Sequence, residues 1–256
     1  MAGKKSLSAL IDHQFGPRAA AYVASAVHSS GPDLAWIAER AVRARPRIAL
    51  DLGAGGGHVS YAMAPHAGRV IACDLSEQML AAVAETARAK GLDNLETRAC
   101  DVRALPLDDA SVDFAASRFS AHHWQDLHAA LRECRRVMPA GATAVFADAV
   151  SPGTPLLDTH LQAIELLRDP SHVRDYAIEE WVAALQAAGF ALQELKRFRL
   201  RIDFKPWIER MQTPPVFEGA IRALQSKAPA EVSNHFEIAA DGSYTLDCAG
   251  FEVRAA

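Results

Sequence analysis

One stretch of the chain, Ile48–Ser60 (IALDLGAGGGHVS), sets an acid, Asp51, two residues ahead of Gly53 and follows it with Gly55 and Gly57. Glycine at these positions permits positive φ and leaves no Cβ between the backbone and whatever sits above the turn. Ile48, Ala49, Leu50 and Leu52 suit a strand buried on both faces. The stretch therefore reads as a strand that turns at once into a helix over a ligand. A phosphate loop would end in Gly-Lys-Ser/Thr, and His58-Val59-Ser60 stands there instead. A dinucleotide fingerprint needs glycine or alanine three residues after the second glycine, and counted from Gly53 and Gly55 that place is His58.

A second acid, Asp74, ends the apolar run Val70–Cys73, about 20 residues further on. At the tip of a second strand its carboxylate lies beside the first turn and can accept from both ribose hydroxyls. Asp74 could equally cap the helical stretch Glu77–Lys90, a role for which Ser76 competes. A third acid, Asp101, follows the expected strand Glu96–Cys100. There a carboxylate can accept from an exocyclic amine while the Val102 N–H donates to a ring nitrogen, or it can be a solvated turn acid. Glycine turn and strand-tip acids together point to an adenosyl ligand.

The chemistry of a reaction would come from Asp113–Trp124 (DFAASRFSAHHW), where an apolar strand gives way to Arg118, Ser120, His122, His123 and Trp124. In a doubly wound sheet this is the tip of the fourth strand, at the switch point. Either histidine can move a proton or simply fill a surface or capping role. Adjacent side chains on a regular backbone point different ways, so at most one of the two is expected to face a given ligand. No acid or cysteine at ligand spacing accompanies them, and metal binding is not expected.

The elements that must position these residues alternate: Ile48–Leu52, His58–Met63, Val70–Asp74, Glu77–Lys90, Glu96–Cys100, Val112–Ser117, Leu127–Val137 and Thr143–Asp148 form a strand-helix series that implies a parallel sheet. Right-handed crossovers put the glycine turn and the strand-tip acids on one edge. Before the first strand, His13–Arg45 reads as helical with a break at Ser29–Pro32 and could fold over that edge as a cover. After the turn Ser151–Pro155, Leu156–Arg168 reads as an amphipathic helix, followed by Asp169–Tyr176 (DPSHVRDY). Ile178–Ala188 is a helix closed by Gly189. Leu192–Phe204 alternates as a long strand, and Trp207–Met211 and Val216–Ser226 read as helices. Asn234–Ala239, an Asp241-Gly242 turn and Ser243–Val253 suggest a terminal hairpin.

In LDLGAGGGHVS, CDLSEQML, DVRALPLDDASVDFAASRFSAHHW and ALRECRRVMPAG the sequence resembles class I S-adenosylmethionine-dependent methyltransferases, within them the group related to ubiquinone/menaquinone-biosynthesis C-methyltransferases. LRDPSHVRDY is similar to a stretch in a subgroup of bacterial homologues of that group, and the likeness runs from about residue 13 to the end. The resemblance implies a Rossmann-like α/β fold, a seven-stranded mostly parallel sheet with helices on both faces. It implies a helical cover over 1–46 and a core over 47–256 with a helical insert at about 151–177. S-adenosyl-L-methionine would be the cofactor and S-adenosyl-L-homocysteine its product. The implied cofactor contacts are Asp51, Gly53, Ala54, Gly55, Asp74, Leu75, Met79, Asp101, Val102, Arg118 and Phe15. Gln14, Tyr22 and His28 join Phe15 as lid candidates. His122 or His123 is the candidate base, His172, Arg174 and Tyr176 are the substrate-side candidates, and Trp207, Arg210 and Met211 either line the pocket or pack as core. Two departures stand out. Ser117–Ser120 lacks the Asn/Asp-Pro-Pro-aromatic tetrad of nucleic-acid amino-methylases, which argues against a base as acceptor, and Pro139-Ala140-Gly141-Ala142 replaces the family's Lys-Pro-Gly-Gly.

Composition agrees. The 256 residues are 50% hydrophobic, enough for one α/β domain with additions. A net charge of −4 gives no electrostatic footprint for nucleic acid. Four scattered cysteines without paired spacing argue for a reduced compartment over a disulfide framework. With neither a membrane-length apolar run nor a signal-like start, a cytoplasmic monomer or homodimer acting on a small-molecule acceptor is expected. Two rivals remain: a nicotinamide-dependent oxidoreductase, disfavoured by His58, and a regulator that binds the adenosyl ligand without turnover.

Overall fold

The structure, a computed structural model, describes residues 6–19 and 29–256. Tyr22, Val23, Val27 and His28 of the expected N-terminal cover lie outside the described residues. The apolar runs form parallel strands β1 (Ile48–Leu52), β2 (Arg69–Asp74), β3 (Leu95–Ala99), β4 (Phe114–Arg118) and β5 (Thr143–Ala149). β6 (Phe190–Ile202) and β7 (Tyr244–Ala255) complete a seven-stranded sheet in the order β3-β2-β1-β4-β5-β7-β6, with β7 antiparallel to both of its neighbours. The strand order reverses between β1 and β4, which opens a crevice over their carboxyl ends.

Residue parity along each strand divides the core. Leu50, Leu52, Ile71, Ala115 and Phe146 enter one apolar cluster with α5 (Leu127–Arg136) and α7 (Ile178–Ala187), through Leu131, Cys134, Trp181 and Leu185. Ala49, Val70, Phe114, Ala116 and Val145 enter another with α2 (Pro32–Ala44) and α3 (His58–Met63), through Trp36, Ile37, Val59 and Met63. α4 (Glu77–Ala89) packs Leu80 and Val83 on Ala72, on the α3 side. Helices therefore cover both faces, as nearly continuous apolar strands require.

A third cluster lies above the strand tips. α6 (Pro155–Arg168), α8 (Phe204–Met211), α9 (Pro215–Ser226) and α10 (Ala230–His235) join Ile202, Tyr244, Leu246 and Cys248 at the ends of β6 and β7. This assembly roofs the crevice next to β5. On the other side α1 (Leu7–Phe15) borders it, its first turn held by the Ser6 hydroxyl accepting from the Ala9 N–H at 3.3 Å. Among the described residues no helix is long and apolar enough to cross a membrane.

Two expectations are corrected. No terminal hairpin forms: Asn234 and His235 belong to α10, and the strand after the Asp241-Gly242 turn pairs instead with β5 and β6. Its burial is almost uninterrupted, which suits an interior strand better than one arm of an edge hairpin. Nor are all the cysteines unpaired. Cys73 at the end of β2 and Cys100 just beyond β3 form a disulfide, while Cys134 and Cys248 are free and buried. The partners are 27 residues apart in sequence, and only the parallel pairing of β2 with β3 brings them together.

Candidate active site

The glycine turn is built by its conformation and its neighbours. Gly53 and Gly55 have φ of +69° and +49°. A Cβ on Gly53 would stand 1.8 Å from the Ser120 Oγ, which accepts a 3.1 Å bond from the Trp124 indole. A Cβ on Gly55 would meet nothing within 4 Å among the described residues. Asp51 is 1% exposed and accepts from the Ser60 N–H at 2.9 Å and hydroxyl at 2.6 Å, fastening the first turn of α3 to the tip of β1. Burial pushes its carboxyl up to about 7 against those two bonds. The Asp74 carboxylate accepts from the Gly55 N–H at 2.8 Å and the Ser76 N–H at 3.0 Å. Ser76, not Asp74, caps α4, accepting from the Met79 N–H at 3.4 Å. Burial raises the Asp74 carboxyl while these N–H groups oppose the rise. Asp101 is engaged by Arg103, whose Nε and Nη2 donate to it at 3.0 and 2.6 Å, and this pairing lowers its pKa. The Val102 N–H makes no hydrogen bond among the described residues.

Past β4 the chain enters a 3₁₀ turn, Ala121–His123. The Asp148 carboxylate at the end of β5 organises it, accepting from the Ser120 and Ala121 N–H groups at 3.2 and 2.8 Å and meeting His122 Nδ1 at 2.6 Å. Burial opposes charge on His122, but the field and hydrogen bond of Asp148 prevail and raise its pKa to about 9. His123 lies 4.3 Å away, ring centroid to centroid, with its Nδ1 3.2 Å from the Ser171 carbonyl. Burial and the neighbouring charged His122 drive its pKa down.

One cavity of about 210 Å³ runs along these tips. Asp51, Gly53, Ala54, Gly55, Asp74, Leu75, Met79, Asp101, Val102, Arg118 and Phe15 all line it, as do both His122 and His123. Both histidines border the same cavity, contrary to the expectation that adjacent side chains point different ways, because in a tight 3₁₀ turn the two rings lie side by side. Phe15 meets His123 edge-on at 5.0 Å, whereas Gln14 does not line the cavity and accepts from Arg18. Arg118 forms a buried ion pair with Asp33 from α2.

The segment Asp169–Tyr176 does reach the cavity, through Asp175. His172, Arg174 and Tyr176 are not lining residues. His172 is buried against Gln162 at 2.9 Å, its pKa driven down to about 3 by burial, and Arg174 pairs with Glu180 and Asp158. Asp175 is 2% exposed with one oxygen lacking a partner among the described residues, and burial together with Glu165 raises its carboxyl to about 8. Glu165, Arg168, Trp207 and Arg210 line the same end, over a floor of Ala149, Leu200, Ile202 and Leu246, while Met211 packs in the core. Sequence reasoning missed Asp148, Glu165, Arg168 and Asp175. The rule that found Asp51 and Asp74, an acid at a strand tip, applies equally to Asp148.

Residues 50–146 match a family model described as a methyltransferase domain. The uncharacterized methyltransferase YcgJ of Bacillus subtilis (strain 168) is 33% identical over 223 residues, 87% of this chain and 88% of that protein. This chain is a class I methyltransferase. The protein YafE of Escherichia coli (strain K12) is 40% identical over 191 residues, 75% of this chain and 92% of that one. In three dimensions the crystal structure of YcgJ superposes with a TM-score of 0.83 at 30% identity, over 87% of this chain and 97% of that one. Membership of this family sets aside the oxidoreductase reading. In keeping with that, His58, at the place where a dinucleotide site needs a small residue, is the first residue of α3 and lines the cavity.

Proposed function

We propose that the enzyme binds S-adenosylmethionine over the tips of β1, β2 and β3 and transfers its methyl group to oxygen or carbon of a small-molecule acceptor held under α6 and α8. The observation that carries this reading is the continuity of one cavity from Gly55 past His122 to Arg168 and Trp207. Three features fit the adenosyl ligand among the described residues: the open space over Gly55, the Val102 N–H without a partner, and the Asp74 carboxylate, which keeps accepting capacity beyond its backbone bonds. In the assignment we favour, Asp74 holds the ribose, Val102 and the backbone around Asp101 hold the adenine, and Asp51 faces the cationic end. Asp101 serves less through its carboxylate, which Arg103 occupies.

When bound, the cofactor supplies an electrophilic methyl group on a sulfonium, a displacement that needs alignment and dryness more than a strong acid. His122 and Asp148 act on the acceptor. Held as an imidazolium by its carboxylate, His122 donates to an ionised oxygen of the acceptor and keeps it facing the cofactor. The apolar floor of Ile202 and Leu246 suits a ring or chain, and a quinone-like acceptor is one such body.

Titration calorimetry with S-adenosylhomocysteine tests the cofactor half. Asp74→Ala loses the ribose acceptor together with the anchor of the Gly55 N–H, and binding is expected to weaken by roughly 1.5–3 kcal/mol. An unchanged Kd in a folded variant removes Asp74 from the site. Transfer of labelled methyl into a metabolite extract, with mass identification of the product, tests turnover, and a protein that binds the cofactor product yet labels nothing is the non-catalytic regulator.

A further inference from the structure

Arg168 and Trp207 form one rigid unit at the acceptor end of the cavity. Arg168 closes α6 and its side chain is 12% exposed. Its backbone carbonyl accepts from the Thr213 hydroxyl at 3.1 Å, and its Nε donates to the Trp207 carbonyl at 3.2 Å. The guanidinium carbon lies 5.0 Å from the Trp207 ring centroid, and that ring is braced edge-on by Tyr244 at 5.3 Å. The fork cannot swing to solvent without losing these contacts.

Its outer nitrogens are a different matter. Glu165 is the carboxylate in ion-pair range, with an oxygen 3.7 Å from Nη1, too far for a hydrogen bond; the other Glu165 oxygen accepts from the Tyr244 hydroxyl at 2.8 Å. Nη1 and Nη2 of Arg168 therefore make no hydrogen bond among the described residues. A largely buried guanidinium with its terminal N–H groups unmatched is unfavourable unless an oxygen from water or a ligand meets them. Arg210 lines the same end. This end also holds the carboxylates of Glu165 and Asp175, so it is the unmatched Nη1 and Nη2 of Arg168, and not a net charge, that favour an anion. Planar donors in parallel suit a carboxylate.

Building on the reading of this cavity as a methyl-transfer site, we propose that the acceptor is a carboxylic acid with an apolar body. Its carboxylate is taken by the Arg168 fork and its body lies on Ile202 and Leu246. Arg168 is then a specificity-determining residue, separate from the cofactor contacts.

The test titrates the protein, loaded with S-adenosylhomocysteine, with matched acids and amides: phenylacetate and phenylacetamide, 4-hydroxybenzoate and its amide, octanoate and octanamide. At least one acid is expected to bind ten-fold or more tightly than its amide. Arg168→Gln should abolish that preference and leave the Kd for S-adenosylhomocysteine within two-fold. Should Arg168→Gln not fold, Arg168→Lys keeps the charge and loses the fork, and a preference reduced at least five-fold is expected. A set in which no acid outbinds its amide, non-binding pairs included, overturns the proposal, as does a preference that survives the substitution. Failure of S-adenosylhomocysteine to bind the wild-type protein is a separate result, and it rejects the methyl-transfer reading itself.

Discussion

Gly53→Ala is expected to lower the free energy of unfolding by about 2–5 kcal/mol, the sum of a backbone and a packing term. The backbone term comes from φ of +69°, where an L side chain costs roughly 1–2 kcal/mol. The packing term arises because a Cβ would lie 1.8 Å from the Ser120 Oγ and 2.8 Å from its Cβ. Overpacking of that kind costs about 1–3 kcal/mol. Ser120 cannot simply turn away, since its hydroxyl accepts from the Trp124 indole. The two terms separate in a double-mutant cycle: Ser120→Gly clears the contact, so the Gly53→Ala penalty in that background should fall to the backbone term alone. Urea denaturation of the four proteins reads this directly. Equal penalties in both backgrounds would show that the turn does not depend on the β4 loop. In the proposed function, Gly53 joins β1 to the histidine turn, so the ends of the cavity assigned to cofactor and acceptor share one piece of backbone.

That joint was half legible in the sequence. The β1 turn, the acid at the tip of β2 and the strand-helix alternation are local patterns, and they fold as local patterns suggest. What was not legible depends on partners far away in the chain. Residues 169–177 carry little regular structure, so no periodicity told which side chain faces inward; the Val173 N–H donating to the His122 carbonyl at 2.8 Å fixes the path, and with it the entry of Asp175 in place of its neighbours. Arg168 sits at the end of an unmistakable amphipathic helix, yet its role depends on Trp207 and Thr213, 39 and 45 residues later. The Asp241-Gly242 turn was visible, but a turn does not say which strand pairs across it. β7 bypasses the preceding residues and inserts between β5 and β6.

His122→Ala is expected to reduce the rate of methyl transfer by about 10²–10⁴-fold, the range for a group that handles an acceptor's charge or proton. The direction of its pH dependence decides which of these it handles. With a pKa raised from 6.5 to about 9 by Asp148, His122 is charged at neutral pH. If the imidazolium holds an ionised oxygen, activity persists below that value and falls as pH rises through about 9. If His122 is a base, activity instead rises through the same interval, and the assignment made above is wrong. Stability offers a second readout that needs no acceptor. A folded-state pKa above the unfolded one contributes stability that is fully present below pH 6.5 and is lost as pH rises to about 9. A shift of that size corresponds to on the order of 3 kcal/mol. Asp148→Asn removes the largest raising partner and leaves burial opposed only by the weaker fields of Asp175 and Glu165, so the His122 pKa falls from about 9. The alkaline fall in activity should move to lower pH, and the His122 part of the stability loss between pH 6.5 and 9 should shrink. Denaturation at pH 6 and pH 9 measures that loss in the wild type and the variant. An equal loss in both would mean that the Asp148 carboxylate does not hold the proton on His122, and that the charge at the centre of the cavity has another source.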